Sequence, residues 1–401
     1  MNTKLIIDNI PAAADIIKNG GLVAVPTETV YGLAANAYDA KAVEGIYEVK
    51  GRPESKPLSL MVGGASAMDR LCEDVPPAAR FLADCFWPGP LTIVLKAKDT
   101  VPEIIRAGGS TVALRCPQQD KTLALIREAG LPLAAPSANP TGSKSPVSAE
   151  EVLLYFDGKI EAVIDGGKCV MGRESTIIDM SKTPYVILRH GSLAERDLNM
   201  ALAASLTIIG ITGGTGCGKT TALEVIEDMG GLVIDCDEVY HDLLQNCDEM
   251  MDELNERFPG AIAQGSTDTK SLGEIVFNDP EELRALNTVT HRYVGEEIKR
   301  RLQNWARAGG TLAAIDAIAL IESGIGGYCR ATVGITAPTE DRIERLMKRE
   351  GISREYAILR IDAQKPNEYF EEMCDYTLNN DGSHELFAKK CRSLFEDIIR
   401  R

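Results

Sequence analysis

The segment LTIIGITGGTGCGKTTALEVIEDMG begins at residue 206 of a 401-residue chain, and no other stretch constrains the fold as much. A β-branched run, a glycine-rich turn and a helix-like stretch follow one another without a gap. Gly213, Gly218, Lys219 and Thr220 satisfy the spacing G-x-x-x-x-G-K-[ST]. That spacing has a physical reason. Glycines let backbone N–H groups converge on phosphate oxygens, and the helix start adds the positive end of its dipole. Gly213, Gly214, Thr215, Gly216, Cys217, Gly218, Lys219 and Thr220 are therefore assigned to ATP. Lys219 is expected to reach the β- and γ-phosphates, and the Thr220 hydroxyl to hold Mg2+. A strand that opens such a unit starts a new sheet, so a second α/β domain begins near residue 206.

The residues before it also read as α/β, because short β-branched runs alternate with helix-like stretches. LVAVP (22–26), LTIVLKA (91–97), TVALRC (111–116), AVIDGG (162–167), STIIDM (175–180) and YVILRHG (185–191) read as strands. DAKAVEGIYEVKGR and KTLALIREAG have helical spacing. The expected organisation is a first domain over 1–195, a linker over 196–205 and a second domain over 206–401.

Charge is uneven. The chain carries −16 in all, of which residues 1–200 contribute −3 and residues 201–401 contribute −13. Neither half offers the basic field of a nucleic-acid binder, so an anionic ligand must be held by local clusters of cations. No run of about 18 apolar residues occurs and the N-terminus lacks a signal-peptide core, so no membrane span is expected and a cytoplasmic location is. Ten cysteines are scattered without C-x-x-C or Cys/His clusters, which reads as free thiols.

Beyond the glycine-rich turn, GLVIDCDEVYHDLL (231–244) ends a hydrophobic run with Asp235 and Asp237. Two carboxylates at i and i+2, at the carboxyl end of a strand, are expected to point together beside the phosphates. One can accept the proton of an attacking hydroxyl or help hold Mg2+. TLAAIDAIALIESG (311–324) reads as a buried strand ending in Asp316, with Glu322 beyond, in a metal-side or substrate-side position. Arg342, Arg345, Arg349 and Arg360 follow in a helical stretch. Arginines there either stabilise a transferring phosphoryl group or form a solvated basic face.

These segments resemble dephospho-CoA kinases across essentially all of 206–401. The glycine-rich turn with its D-x-D segment looks like that family's opening. ERLMKREGISREYAILRIDAQ (344–364) resembles its lid, and DYTLNNDG (375–382) its late strand and turn. The resemblance implies a P-loop fold, a parallel sheet with a helical lid and an acceptor region, and ATP-dependent phosphorylation of the 3′-hydroxyl of dephospho-CoA. It makes Lys219, Asp237 and Asp235 catalytic candidates and Arg345, Arg349 and Arg360 ATP-side lid residues. It also adds Asp237 to Thr220 as a Mg2+ ligand. Arg292 stands after His291 where the family usually has proline, and AIALIE, with Ile318, replaces a proline-leucine-leucine stretch.

No such loop occurs in residues 1–205. Spaced polar residues stand at strand and turn ends instead: Thr27, Glu28, Thr29 and Tyr31; Lys50, Arg52 and Lys56; Arg115, whose charge at the end of a buried-type strand requires a partner; Ser137, Asn139 and Ser145; Ser175, Thr176 and Arg189. In this order they resemble threonylcarbamoyl-AMP synthases of the YrdC/Sua5 type from about residue 8 to 191, with Lys50/Arg52 and Ser137/Asn139 matching the family's K-x-R and S-x-N elements. The resemblance implies a twisted open α/β sheet and the formation of threonylcarbamoyl-AMP and pyrophosphate from L-threonine, bicarbonate and ATP. That product feeds downstream tRNA-modification proteins. It assigns Lys50, Arg52, Lys56, Thr111, Ser137, Asn139, Ser145 and Arg189 to ATP, with Lys50 and Arg52 catalytic, and Thr29 and Arg115 to threonine. Met61 stands where longer members carry histidine, and the extra domain of those members is missing. The alternative is that only the kinase works and the first half is an RNA-binding or regulatory module. The near-neutral charge of that half argues against strong RNA binding.

Overall fold

The computed structural model describes residues 2–259, 262–263, 266–267, 272, 275–276 and 279–401. Internal contacts divide the chain into two compact units, 1–205 with 307–309 and 206–306 with 310–401.

The first unit is built on one ten-stranded mixed sheet. Its strands are β1 (Lys4–Ile6), β2 (Val23–Val25), β3 (Gly32–Asn36), β4 (Ser59–Met61), β5 (Leu91–Lys96), β6 (Thr111–Arg115), β7 (Leu133–Ala134), β8 (Ala162–Ile164), β9 (Thr176–Asp179) and β10 (Val186–Arg189). Their spatial order is β1-β8-β2-β3-β7-β4-β6-β5-β9-β10. The six strands expected from β-branched runs are all present. The four others are short or small-residue strands, such as GLAAN in β3 and LA in β7, which carry little β signal.

The helices at Ala40–Lys50 and Asp120–Ala129 match the expected spacing, and each ends on a glycine in the left-handed conformation, Gly51 and Gly130. Helices Ile10–Lys18 and Asp120–Ala129 cover one face of the sheet, where Ala13, Ala14, Ile17, Leu125, Ile126 and Ala129 are buried against β2 and β8.

The segment 196–205, expected to be a linker, is almost wholly helical. The helix Glu195–Ala204 buries Leu198 and Leu202 completely, and it packs against the helix Pro77–Phe86. Two leucines four residues apart give the segment an apolar stripe that must be covered, so it belongs to the first unit.

The second unit holds an all-parallel five-stranded sheet. Its strands are β11 (Thr207–Thr212), β12 (Leu232–Asp235), β15 (Leu312–Asp316), β16 (Ala331–Thr336) and β17 (Tyr376–Asn379), in the order β12-β15-β11-β16-β17. A small antiparallel pair, β13 (Ile262–Ala263) and β14 (Ser266–Thr267), lies apart from it. The central strands read as continuous apolar runs because both faces are covered. The helices Lys219–Asp228 and His384–Arg400 bury Ala222, Val225, Ile226, Phe387, Cys391 and Phe395 on one side. Residues Pro280–Arg307 form one 28-residue helix through His291 and Arg292, without a proline to interrupt it. The expected lid is two helices, Thr339–Glu350 and Arg354–Asp362, the first capped by Gly351 in the left-handed conformation, packed through Ile343, Leu346, Ala357 and Ile361.

All ten cysteines are free thiols. Among the described residues no helix is long and apolar enough to cross a membrane.

Candidate active sites

In the first unit the sheet opens onto a cavity of about 340 Å3. Its cations are Arg52, Arg115 and Arg189, each placed by a different element. Arg115 ends β6 and is buried together with Glu28. Its Nη2 donates to Glu28 Oε1 at 2.7 Å and its Nε donates to the Gly89 carbonyl at 3.3 Å. The second Glu28 oxygen accepts the Gln118 N–H at 3.0 Å. Glu28 is therefore the partner that a buried Arg115 requires. Arg189 ends β10 and clamps Ser175: Nε donates to the Ser175 carbonyl at 2.9 Å and Nη2 to its hydroxyl at 3.0 Å. The Ser175 hydroxyl also shares a hydrogen bond of 2.8 Å with Thr92. Arg52 follows the helix Ala40–Lys50 and donates to the Pro57 carbonyl at 2.8 Å.

Lys50 sits differently. It is 3% exposed, and its ammonium donates to the backbone carbonyls of Ser137 and Asn139. Burial, helped by the neighbouring Arg52 charge, pulls it down to about 8. Asn139 in turn holds its own loop, donating to the carbonyls of Ser143 at 2.6 Å and Pro140 at 3.1 Å. Ser145 donates to Glu174 Oε1 at 2.7 Å, and that hydrogen bond holds the Glu174 carboxyl below its usual range.

In the second unit the glycine-rich turn lines a cavity of about 500 Å3 with Gly214, Thr215, Gly216, Gly218, Lys219, Thr220, Asp316, Arg345, Lys348 and Arg349. The loop is braced from behind. Arg342, 3% exposed, donates through Nε to the Thr215 carbonyl at 2.9 Å. Gln364 accepts the Thr215 N–H at 2.7 Å and donates to its hydroxyl at 2.9 Å. Asn380 donates to the Cys217 carbonyl at 2.9 Å. Gly218 has φ of +102°, and a Cβ there would lie 2.2 Å from the Asn380 amide nitrogen, so this position requires glycine twice over.

Asp316 ends β15 directly beside Asp235 at the end of β12. Lys219 Nζ pairs with Asp316 Oδ1 at 3.5 Å, an ion pair rather than a hydrogen bond, and that buried oxygen has no hydrogen-bond partner. Burial raises the Asp316 carboxyl to about 6 against the opposing pull of Lys219, with Asp235 adding to the rise. A third cavity, of about 300 Å3, is lined by Asp237, Tyr240, Asn287, Thr290, His291, Ile318 and neighbours. Asp316 lines the cavity of the glycine-rich turn and Ala317, Ile318 and Ala319 line this one, so consecutive residues at the end of β15 serve both.

Residues 15–191 match the Sua5/YciO/YrdC family model, which bears the description "Telomere recombination". Residues 207–385 match the dephospho-CoA kinase model. A threonylcarbamoyl-AMP synthase of Pyrococcus abyssi is 47% identical over 193 residues, 48% of this chain and 57% of that protein. A Mycobacterium tuberculosis protein provisionally named for the same activity is 34% identical over 200 residues, 49% of this chain and 92% of its own length. A dephospho-CoA kinase of Thermus thermophilus is 34% identical over 192 residues, 48% of this chain and 91% of that enzyme. The chain belongs to the threonylcarbamoyl-AMP synthase family in its first half and to the dephospho-CoA kinase family in its second. Both are enzyme families that use ATP. The chain spans little more than half the length of the first synthase relatives it matches.

In the synthase half the structure brings Arg52, Thr111, Arg115, Ser137 and Arg189 around one cavity, with Met61 in its wall. Lys50, Lys56, Thr29, Asn139 and Ser145 are not among the lining residues. Lys50 is spent on backbone carbonyls, and Lys56 is exposed and contributes its own carbonyl to Arg52 at 3.3 Å. Thr29 is wholly buried, its hydroxyl 2.8 Å from that of Thr27. Thr92, Glu174, Ser175 and Asp179 line the cavity without a role read from the sequence. Ser175 is among the spaced polar residues without an assigned ligand, whereas a lone acid or hydroxyl such as Thr92, Glu174 or Asp179 leaves no spacing signal, so only the fold finds those three.

In the kinase half Gly214, Thr215, Gly216, Gly218, Lys219, Thr220, Arg345 and Arg349 line one cavity, whereas Gly213 and Cys217 are not among its lining residues. The D-x-D reading needs correction. The strand ends at Asp235, which caps the helix Cys236–Asn246 by accepting the N–H groups of Asp237 at 2.8 Å and Glu238 at 3.2 Å. Asp237 therefore stands in the first turn of a helix, not two residues along a strand, and lines the other cavity. Arg360 does not line the phosphate cavity and is paired with Glu350. Of the two departures, Ile318 lines the third cavity, whereas Arg292 turns away to pair with Glu253.

Proposed function

We propose that the kinase half transfers the γ-phosphoryl group of ATP to the 3′-hydroxyl of dephospho-CoA, and that the synthase half makes threonylcarbamoyl-AMP and pyrophosphate from L-threonine, bicarbonate and ATP. The observation that carries the kinase reading is the pair of cavities sharing the end of β15, one lined by the P-loop and Asp316, the other by Asp237. ATP phosphates in the first and a ribose in the second put the acceptor hydroxyl next to the γ-phosphorus. Asp237 takes the proton from that hydroxyl, its oxygen bonds to phosphorus, the bond to the β–γ bridging oxygen breaks, and ADP leaves. Asp235, committed to its helix cap, orients Asp237 rather than reacting.

Mg2+ fits this site through Asp316 rather than Asp237. The Thr220 hydroxyl and the Asp316 carboxylate, with its unpartnered buried oxygen, are the hard donors such an ion takes. When bound, it neutralises phosphate charge as the phosphoryl group moves.

In the synthase half, Arg115 is the threonine carboxylate's partner, fixed in place by Glu28, while Arg52 and Arg189 gather the triphosphate. The threonine amine and bicarbonate form a carbamate with loss of water, the carbamate oxygen bonds to the α-phosphorus, the bond to the α–β bridging oxygen breaks, and pyrophosphate leaves. Lys50 acts through the loop it holds: its two carbonyl contacts set the position of Ser137 at the cavity. On this reading the product supplies enzymes that modify tRNA, and both activities are proposed to be cytoplasmic.

The test is the intact chain with both substrate sets. Expected are CoA with ADP, and threonylcarbamoyl-AMP with pyrophosphate released only when threonine and bicarbonate are both present. Lys219→Ala should cut CoA formation by about 10²–10³ and leave the other product unchanged, as loss of one such contact typically does. Absence of threonine-dependent pyrophosphate would leave the first half a binding or regulatory module.

A further inference from the structure

We infer that Lys348 is an additional cation of the kinase half's nucleotide site, contacting the ATP phosphates from the lid. The helix Thr339–Glu350 carries Arg345, Lys348 and Arg349 at spacings of three and four residues, so all three stand on one face. All three line the cavity that Gly214–Thr220 and Asp316 bound. Their surroundings differ. Lys219 is paired with Asp316 at 3.5 Å. Arg345 donates to the carbonyls of Gly216 at 3.2 Å and Cys217 at 3.4 Å, and lies 3.8 Å from Asp341. Arg349 is paired with Glu350 at 2.6 Å. Among the described residues Lys348 makes no ion pair, so it is the cavity's one cation whose charge no acid offsets.

Lys348 is solvent-exposed and lines a cleft bounded by the glycine-rich turn, where a cation without an acidic partner adds positive potential, and a polyphosphate is the ligand that uses it. The flexible stem of a lysine suits this place, because the ammonium can swing to the phosphates from a helix that is otherwise anchored by Arg342 and Arg345. The position lies outside the G-x-x-x-x-G-K-[ST] spacing, and its neighbours Arg345 and Arg349 already serve as anchors or paired charges. Lys348 therefore supplies the lid's mobile phosphate contact.

The inference rests on the kinase reading of this half but does not need an acceptor to be tested. ATP, ADP and AMP are titrated calorimetrically into the full chain, and a Lys219→Ala chain identifies which binding event belongs to the P-loop. Lys348→Gln should weaken ATP at that event about five- to tenfold, ADP less, and AMP not at all, and it should flatten the salt dependence of ATP binding. Lys348→Arg should restore most of the loss. Unchanged ATP affinity in Lys348→Gln overturns the inference. An equal loss for ATP and AMP overturns it too, since that would report a distorted loop rather than a lost phosphate contact. Failure of the wild-type chain to phosphorylate dephospho-CoA would sink the kinase reading alone, because the nucleotide series is read by binding.

Discussion

On the proposed reading, the two halves hold phosphate by opposite means. The kinase half uses backbone: a glycine-rich turn between a parallel strand and a helix, with side chains behind it as braces. The synthase half uses side chains: Arg52 after the helix Ala40–Lys50 and Arg189 at the end of β10 for phosphate, and Arg115 at the end of β6 for the threonine carboxylate, with hydroxyls between them. A backbone cradle is local, so its residues lie within eight consecutive positions and its chemistry is written as a spacing. A side-chain cradle is assembled by topology, from residues 52, 115 and 189 whose separation means nothing until the sheet is formed. Local sites should fail by losing one residue's chemistry, and assembled sites by losing one residue's position.

The largest expected effect falls in the kinase half, beside the local site. Asp237→Asn keeps the side chain's size and removes the proton acceptor, so CoA formation should fall by about 10²–10⁴ while ATP binding persists. Steady-state rates and nucleotide titration on the same preparation check this. Full activity would remove Asp237 as base and direct attention to Asp316. The corresponding change in the assembled site is Arg115→Lys. It keeps a charge for Glu28 but loses the forked donor, and one charge-assisted hydrogen bond is worth about 1.5–3 kcal/mol. The threonine KM of the first reaction should rise about 10–100-fold, with the ATP KM much less affected. Equal rises in both would mean that Arg115 serves the nucleotide.

A smaller effect separates the halves by pH. Asp316 has a carboxyl raised to about 6, and protonating it removes the partner of Lys219 and a cation ligand. Kinase kcat/KM should therefore decline by about tenfold per unit below pH 6, because the ionised Asp316 that pairs with Lys219 and holds the cation is being lost from the free enzyme. The synthase reaction gives an internal reference on the same chain. The stability consequence has the opposite sense. A carboxyl raised by folding stabilises the protein fully below its unfolded value, and that contribution is lost as pH rises through about 6. A kinase profile flat from pH 5 to 7 would remove Asp316 from the site.

The smallest expected effect is none at all. A cut between Ser205 and Leu206 should give two fragments that each unfold cooperatively, because the helix Glu195–Ala204 buries Leu198 and Leu202 within the first unit. Thermal unfolding of residues 1–205 and 206–401 expressed separately is the measurement. A fragment that fails to fold would show that the division by contacts is not a division by stability.

How much could be read beforehand follows the same line. The strands at 22–26, 91–97, 111–116, 162–167, 175–180 and 185–191 announce themselves by β-branched runs, whereas β3, made of Gly, Leu, Ala, Ala and Asn, is a strand only because neighbours on both sides pair with it. The strand, glycine-rich turn and helix around Lys219 were legible from spacing, and six of the eight assigned turn residues line the cavity. Asp235 was not, since an aspartate at the end of a hydrophobic run looks the same whether it caps a helix or faces a ligand. Lys50 shows the limit most clearly. Its place beside Arg52 suggests a phosphate contact, and only the tertiary fold reveals two carbonyls closing on its ammonium. Glu174, held by Ser145, had no periodic or spacing signal at all.

The brace behind the P-loop has a consequence for hydrogen exchange. The Thr215 amide proton is already donated to Gln364, and the Cys217 amide to the Gly214 carbonyl at 3.2 Å, before any nucleotide arrives. Those two protons should exchange slowly with deuterium in the ligand-free chain, and ATP should add little to their protection. In Gln364→Ala the Thr215 amide should become fast and regain protection only on nucleotide binding, so that the ordering of the loop is moved from the folding step to the binding step.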